Sequence, residues 1–275
     1  MFKLSLVASV LLLVQVCWTE GISPRVTSGH NAKPGEFPHH VAIYWSLPPF
    51  IPKKFICSGS IIGEQHVLTA GNCVRRLGKT TVLAGKHYLA KNEGRLQQES
   101  EAERSYFHPL YQGSHSQHDI AVLKLKTPFV FNERVKAIRL DENNERDLSN
   151  GVALFSGWGS ISRKLFPVKP THYILQTANF NLLPNDQCFN ITQTHKNFIV
   201  PNAYIYDTQV CTINSNGASV CSGDSGGALV QMVNGTMLQI GVASWGYYPC
   251  GKVNLPSIFT RVSSYVDWIH RYIPA

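Results

Sequence analysis

Short apolar and β-branched runs, broken by Gly, Pro, Asn and Ser, dominate the chain beyond residue 25. Examples are residues 40–44 (HVAIY), 59–62 (GSII), 66–69 (HVLT), 120–125 (IAVLKL) and 238–243 (LQIGVA). Runs of this length between turn-forming residues predict the strands of an all-β sandwich or barrel. The carboxyl end departs from that rhythm, because Val262, Val266, Ile269 and Ile273 recur at helical spacing and predict an amphipathic helix. Ser264, three residues ahead of Asp267, predicts a capping box at its start. No internal repeat or low-complexity linker divides the sequence, so two β modules in one compact unit fit better than two independent domains.

The amino terminus is different again. Lys3 precedes the apolar run 4–16 (LSLVASVLLLVQV), which is short for a bilayer span and is followed by polar Thr19 and Glu20. This pattern predicts a secretory signal peptide over residues 1–19, with a membrane anchor as the alternative. No later stretch approaches transmembrane length, so the mature chain is expected to be soluble and extracellular, and no membrane partner is expected. Of the seven cysteines, Cys17 falls in the leader, leaving Cys57, Cys73, Cys188, Cys211, Cys221 and Cys250. An even set in an oxidising compartment predicts disulfides, although six cysteines allow about 15 pairings. No C-x-x-C pair occurs, and neither a metal site nor a cofactor is expected. Asn190-Ile-Thr192 and Asn234-Gly-Thr236 are glycosylation acceptors that suit a secreted surface, used or unused.

Over 275 residues, 44% are hydrophobic and 15% charged, which excludes a disordered chain. The formal charge of +8 permits attraction to polyanions without naming one. The dibasic steps Lys53-Lys54 and Arg75-Arg76 read as solvated loop surface, with a heparin-like or membrane-surface role as the alternative. No aromatic-and-basic RNA-binding motif is present, and nucleic acid is not an expected partner.

Residues 220–229 (VCSGDSGGAL) carry the strongest chemical signal. Glycines around an acid and a serine mark a tight backbone that exposes Ser225 and presents its amide together with that of Gly223, suited to holding the oxygen of a tetrahedral acyl intermediate. Gly-Asp-Ser-Gly alone also fits an ordinary turn. It is accompanied, in order, by CSGSII at 57–62, VLTAGNC at 67–73, HDIAVLKL at 118–125, SGWG at 156–159, SWG at 244–246 and PSIFTRV at 256–262. The set resembles the trypsin/chymotrypsin family of serine proteases from about Val26 to the last helix.

That resemblance implies two six-stranded antiparallel β-barrels with a C-terminal helix over residues 26–275. It implies Ser225 as nucleophile, Gly223 and Ser225 as oxyanion-hole amides, and Asp119 as the carboxylate that orients the base, with Ser244 as a second partner. Residues 20–25 become a short activation propeptide, cut after Arg25 by a trypsin-like protease, with the new Val26 terminus pairing with Asp224. Ser28 stands where the family usually has Gly. The implied disulfides are Cys57–Cys73, Cys188–Cys211 and Cys221–Cys250, each worth about 3–4 kcal/mol on the chain-entropy model. A pocket formed by Ser219, Gly246 and Ser257 implies an uncharged, chymotrypsin-like or small-apolar preference.

One position breaks the pattern. The family's base histidine precedes the second cysteine of the first loop, and here that position is Asn72. An asparagine amide can hydrogen-bond to Ser225 and Asp119 but accepts no proton near neutral pH. The expected protein is a monomeric protease homologue, weak or inactive in proteolysis, that binds a protein or peptide. The alternative is an active endopeptidase of chymotrypsin-like preference whose base comes from elsewhere, His118 and His66 or the substrate being the sources. His118 is expected to point away from Asp119, as strand neighbours do, and His66 has no evident route to the gap.

Overall fold

The computed structural model describes residues 29–113, 115–159, 173–195, 203–214, 217–248 and 250–273. The expected leader, the propeptide, Arg25, Val26 and Ser28 lie outside them. A two-residue strand, β1 (His30–Asn31), leads into β2 (His40–Leu47), β3 (Ile51–Gly63), β4 (His66–Thr69), β5 (Lys79–Ala84), β6 (Gln98–Phe107) and β7 (Ala121–Leu125). The last six close an antiparallel barrel in the order β2-β3-β4-β7-β6-β5. After β8 (Arg139–Leu140) come β9 (Val152–Gly157), β10 (Gln176–Leu183), helix α1 (Asn185–Thr194), β11 (Gln209–Ile213), β12 (Ala228–Val233), β13 (Thr236–Gly246) and β14 (Ser257–Arg261). Strands β9, β10, β11, β14, β13 and β12 pair in that order, and β12 returns to β9. The fold is therefore two closed six-stranded antiparallel barrels, and closure removes the exposed edges that a single open sheet would carry.

The continuous apolar runs follow from how the barrels meet. Val41 and Ile43 point into the first barrel, while Ala42 between them packs with Trp158 and Leu175 of the second, so both faces of β2 are buried. Likewise Val242 joins the first core and Ala243 the second. The second core centres on Phe155, Phe180 and Phe259, edge to face with centroids 5.7–6.2 Å apart. Burying each such ring contributes roughly 2–3 kcal/mol. Disulfides join Cys57 to Cys73, Cys188 to Cys211 and Cys221 to Cys250.

The C-terminal segment differs from the amphipathic helix expected. A 3₁₀ turn (Val262–Tyr265) precedes a short helix α2 (Val266–His270), and the buried residues are Val262, Tyr265, Trp268 and Ile269. Counting aliphatic residues alone missed the two aromatic rings, which complete the buried face. The capping box is absent, because the Ser264 hydroxyl bonds Asn144 Oδ1 at 3.2 Å and no side chain caps α2.

His39 and His40, at the start of β2, are buried, and neither Nε2 has a partner among the described residues. Burial lowers their pKa values to about 4 and about 3. An unfolded histidine takes up its proton near pH 6.5. The stability contributed by each neutral ring is therefore whole above that value and is lost as pH falls toward the folded pKa. His39→Phe keeps a ring edge-on to Phe37, and is expected to reduce the stability lost between pH 7 and pH 5 by about 2 kcal/mol. Urea midpoints at the two pH values check this; parallel profiles for parent and variant contradict it.

Candidate active site

The chemically suggestive residues gather in the seam between the barrels. Asp119 precedes β7, and Asn72 sits in a 3₁₀ turn (Gly71–Cys73) after β4, both from the first barrel. Ser225 lies on the loop entering β12, and Ser244 on β13, both from the second. The Asp119 side chain is buried and its charge is met by short, convergent bonds. Asn72 N–H donates to Oδ1 at 2.8 Å, while Asn72 Nδ2 and the Ser244 hydroxyl donate to Oδ2 at 3.0 and 2.6 Å. Burial raises the Asp119 pKa to about 6, against the opposing pull of bonds from Ser244, Asn72 and Gly71. Beside it, Tyr111 packs so closely on Gly71 that a Cβ there would meet its ring at 2.9 Å.

Asn72 does not bridge Asp119 and Ser225. The second proton of Nδ2 goes to the Ser244 carbonyl at 3.2 Å, and Oδ1 lies 3.2 Å from Cys73 Sγ, a disulfide sulfur with no proton to give. The Ser225 hydroxyl has no hydrogen-bond partner among the described residues. Backbone geometry rather than that hydroxyl ties its loop to the first barrel: Ser58 N–H donates to Ser225 O at 2.9 Å, and Ser58 Oγ donates to Gly223 O at 3.1 Å. Gly226, at φ +83°, passes so close that a Cβ would lie 2.1 Å from Thr69 Oγ1. The amides of Gly223 and Ser225 donate to no acceptor among the described residues, so both are free for an incoming oxygen.

Asp224 is turned inward. Its carboxylate accepts from Gly159 N–H at 2.8 Å and Cys221 N–H at 2.9 Å. Burial raises its pKa to about 7 against those two bonds. A cation introduced beside it would relieve that burial cost.

A cavity of about 180 Å³ opens beside Ser225, lined among others by Val220, Trp245, Gly246, Tyr247 and Tyr248. Ser219 and Ser257 are not on its lining: Ser219 Oγ accepts from Gly251 N–H at 2.9 Å and Ser257 Oγ from Val220 N–H at 3.1 Å. Sequence reasoning missed Tyr247 and Tyr248, for which the adjoining Ser-Trp-Gly run was the available signal.

The histidines fall elsewhere. His118 precedes β7 in a left-handed conformation (φ +65°), and its Nδ1 lies 3.0 Å from the Tyr265 hydroxyl. It faces away from the cleft, though through this turn and not through strand alternation. His66 is buried on β4. His115, which sequence reasoning did not single out, rests edge-on against Trp245 with centroids 5.2 Å apart. Asn190 is exposed on α1, and Asn234 is exposed at the tip between β12 and β13. Among the described residues no group of three or more His, Cys, Asp or Glu side chains could hold a metal ion.

Two closed barrels with a serine, an aspartate and two free amides in their seam define a chymotrypsin-like fold. Comparison with known proteins makes this specific: the trypsin family model matches residues 26–269, and the chain belongs to that family. It is 33% identical over 249 residues to coagulation factor IX of Cavia porcellus, covering 89% of this chain and 80% of that protein. It is 31% identical to human kallikrein-8 (96% and 93% covered) and 29% identical to the Rattus norvegicus kallikrein-8 (95% and 93%).

Asn72→Ala removes both side-chain N–H bonds while sparing the backbone bond to Asp119 Oδ1. It is expected to cost about 1–3 kcal/mol, since a hydrogen bond to a buried charge is lost. Urea denaturation measures this, and an unchanged midpoint contradicts the bracing role given to the amide.

Proposed function

We propose that this chain is a secreted serine-protease homologue that has lost efficient proteolysis and acts by binding a protein or peptide as a monomer. Asn72 takes the place of the general base. The observation that carries the reading is that the Asn72 amide spends its two protons on Asp119 and the Ser244 carbonyl. It leaves no nitrogen able to take a proton from Ser225.

A serine hydroxyl is a weak nucleophile unless a neighbouring base accepts its proton as the new bond forms. Loss of the base from a comparable triad costs about a millionfold in turnover. The free amides of Gly223 and Ser225 and the adjacent cavity still suit a bound carbonyl and side chain, which is why binding survives in this reading. With serines at 219 and 257 and no charged residue on the lining among the described residues, the cavity suits a small or apolar side chain. Signal removal at about residue 19 and cleavage after Arg25 by a trypsin-like protease belong to the same proposal. The freed Val26 ammonium then supplies the cation that buried Asp224 lacks among the described residues. Asn190 and Asn234, both exposed, are the proposed glycan sites.

A second reading has one observation in its favour. His115 touches Trp245, a residue that lines the same cavity as Ser225, and burial lowers its pKa. Against it, no hydrogen bond fixes the His115 ring among the described residues, whereas a general base needs its tautomer held.

Protein cleaved after Arg25 is expected to show no turnover of apolar peptide substrates above the Ser225→Ala control, and Asn72→His is expected to raise kcat/KM at least a hundredfold. Turnover by the parent that disappears in Ser225→Ala overturns the inactive reading, and its loss in His115→Ala then assigns the base.

A further inference from the structure

Lys54 and the Arg75-Arg76 step, which the catalytic reading leaves unused, are brought together on one face of the first barrel, while Lys53 pairs with Glu99. Strand pairing sets Trp45 opposite Lys54 on one side and Thr80 on the other, with Ser46 opposite Lys79. The Lys54 ammonium lies 5.5 Å from the Trp45 ring centroid. The loop carrying Arg75, Arg76 and Leu77 is clamped to the same tryptophan, whose Nε1 donates to Leu77 O at 2.7 Å. On the other side of that loop, Arg75, Lys79, Arg104 and Lys126 line a hollow of about 300 Å³.

The charges in this region do not cancel. Glu101 pairs with both Lys79 and Lys126, and Glu103 with Lys124. Arg75, Arg76, Arg104 and Lys54 have no carboxylate partner among the described residues, and all four are exposed. Cations without a carboxylate partner favour an anionic ligand, and Arg75 and Arg104 share one hollow. The surface is also not purely polar: Leu77 is 73% exposed, and Phe50, at the tip of the β2–β3 hairpin, is 82% exposed. Leu77, held out beside Arg75 and Arg76, and Phe50 gain by burial against another apolar group, which a sulfated glycan or a phosphate surface does not offer.

The patch runs up to the cleft. Phe55, next to Lys54, packs so tightly on Gly223 that a Cβ there would meet its ring at 2.9 Å. At the other end, Arg75 closely follows the turn Gly71–Cys73 that holds Asn72.

We infer that this face docks an acidic peptide segment with interspersed apolar side chains, its carboxylates on Arg75, Arg76, Arg104 and Lys54 and its apolar groups on Leu77 and Phe50. The inference does not depend on whether Ser225 turns over, since docking here uses no residue of the cleft.

Fluorescence anisotropy of two labelled dodecapeptides tests it, one of alternating glutamate and leucine and one of glutamate and serine with the same charge. The leucine peptide is expected to bind at least tenfold more tightly than the serine peptide, and to weaken as salt rises. Arg75→Glu/Arg104→Glu is expected to lose at least tenfold in affinity, and Leu77→Ser several-fold, with urea midpoints near the parent's because all three side chains are exposed. Equal affinity for the two peptides, or insensitivity to Leu77→Ser, overturns the inference. Heparin or phosphatidylserine vesicles binding the parent more tightly than the leucine peptide, with Leu77→Ser unchanged, overturns it in favour of a glycan or a membrane surface.

Discussion

A buried carboxylate at the junction of two barrels sets the terms for everything around it. Asp119 has left water, so each of its oxygens must be met by a protein donor or the barrels cannot close on it. The turn holding Asn72 supplies donors from the first barrel, and Ser244 supplies one from the second. Thr260 of the second barrel also donates to the Asp119 carbonyl at 2.8 Å. The carboxylate is thus a fastener across the seam, whatever chemistry happens beside it. A residue at position 72 that donates protons serves that fastening well. In the proposed reading, the same residue leaves hydrolysis without its proton acceptor.

The remaining polar features of the seam follow the same logic. Asp224 is satisfied by two backbone amides, but its raised pKa records a charge that burial disfavours. Ser225, by contrast, is fixed through its backbone, and its hydroxyl has no partner among the described residues. In the function proposed above, the site keeps two amides and a cavity for binding and lacks the part that moves a proton. On the first barrel's outer face the balance reverses, with Arg75, Arg76, Arg104 and Lys54 lacking a carboxylate partner among the described residues and open to a ligand.

Much of this was legible from the chain. The short apolar runs gave the strands, and a series of motifs in fixed order carried the two-barrel fold and the placement of Asp119 and Ser225 in one seam. What was not legible depends on partners distant in sequence. Ser264 looks like a cap until Asn144 is seen to take its hydroxyl, and an aliphatic helix stripe omits Tyr265 and Trp268 because rings fill volume that no periodicity records. The Asn72 amide was open to either neighbour, and the Ser244 carbonyl from β13 decided its orientation. Ser219 and Ser257 were expected to shape a pocket, and the chain did not show that the Gly251 and Val220 amides donate to their hydroxyls. Arg75 and Arg76 read as ordinary surface because a sequence does not show which lysines the available glutamates neutralise.

Loss of the base is tested most directly by acylation in a single turnover, with protein cleaved after Arg25 in excess over an activated nitrophenyl ester of an apolar amino acid. With no proton acceptor beside Ser225, the rate of nitrophenolate release should match that of the Ser225→Ala variant across pH 6 to 9. A rapid burst, stoichiometric with the ester and absent from Ser225→Ala, would show that the hydroxyl is activated and that Asn72 has not disarmed the site.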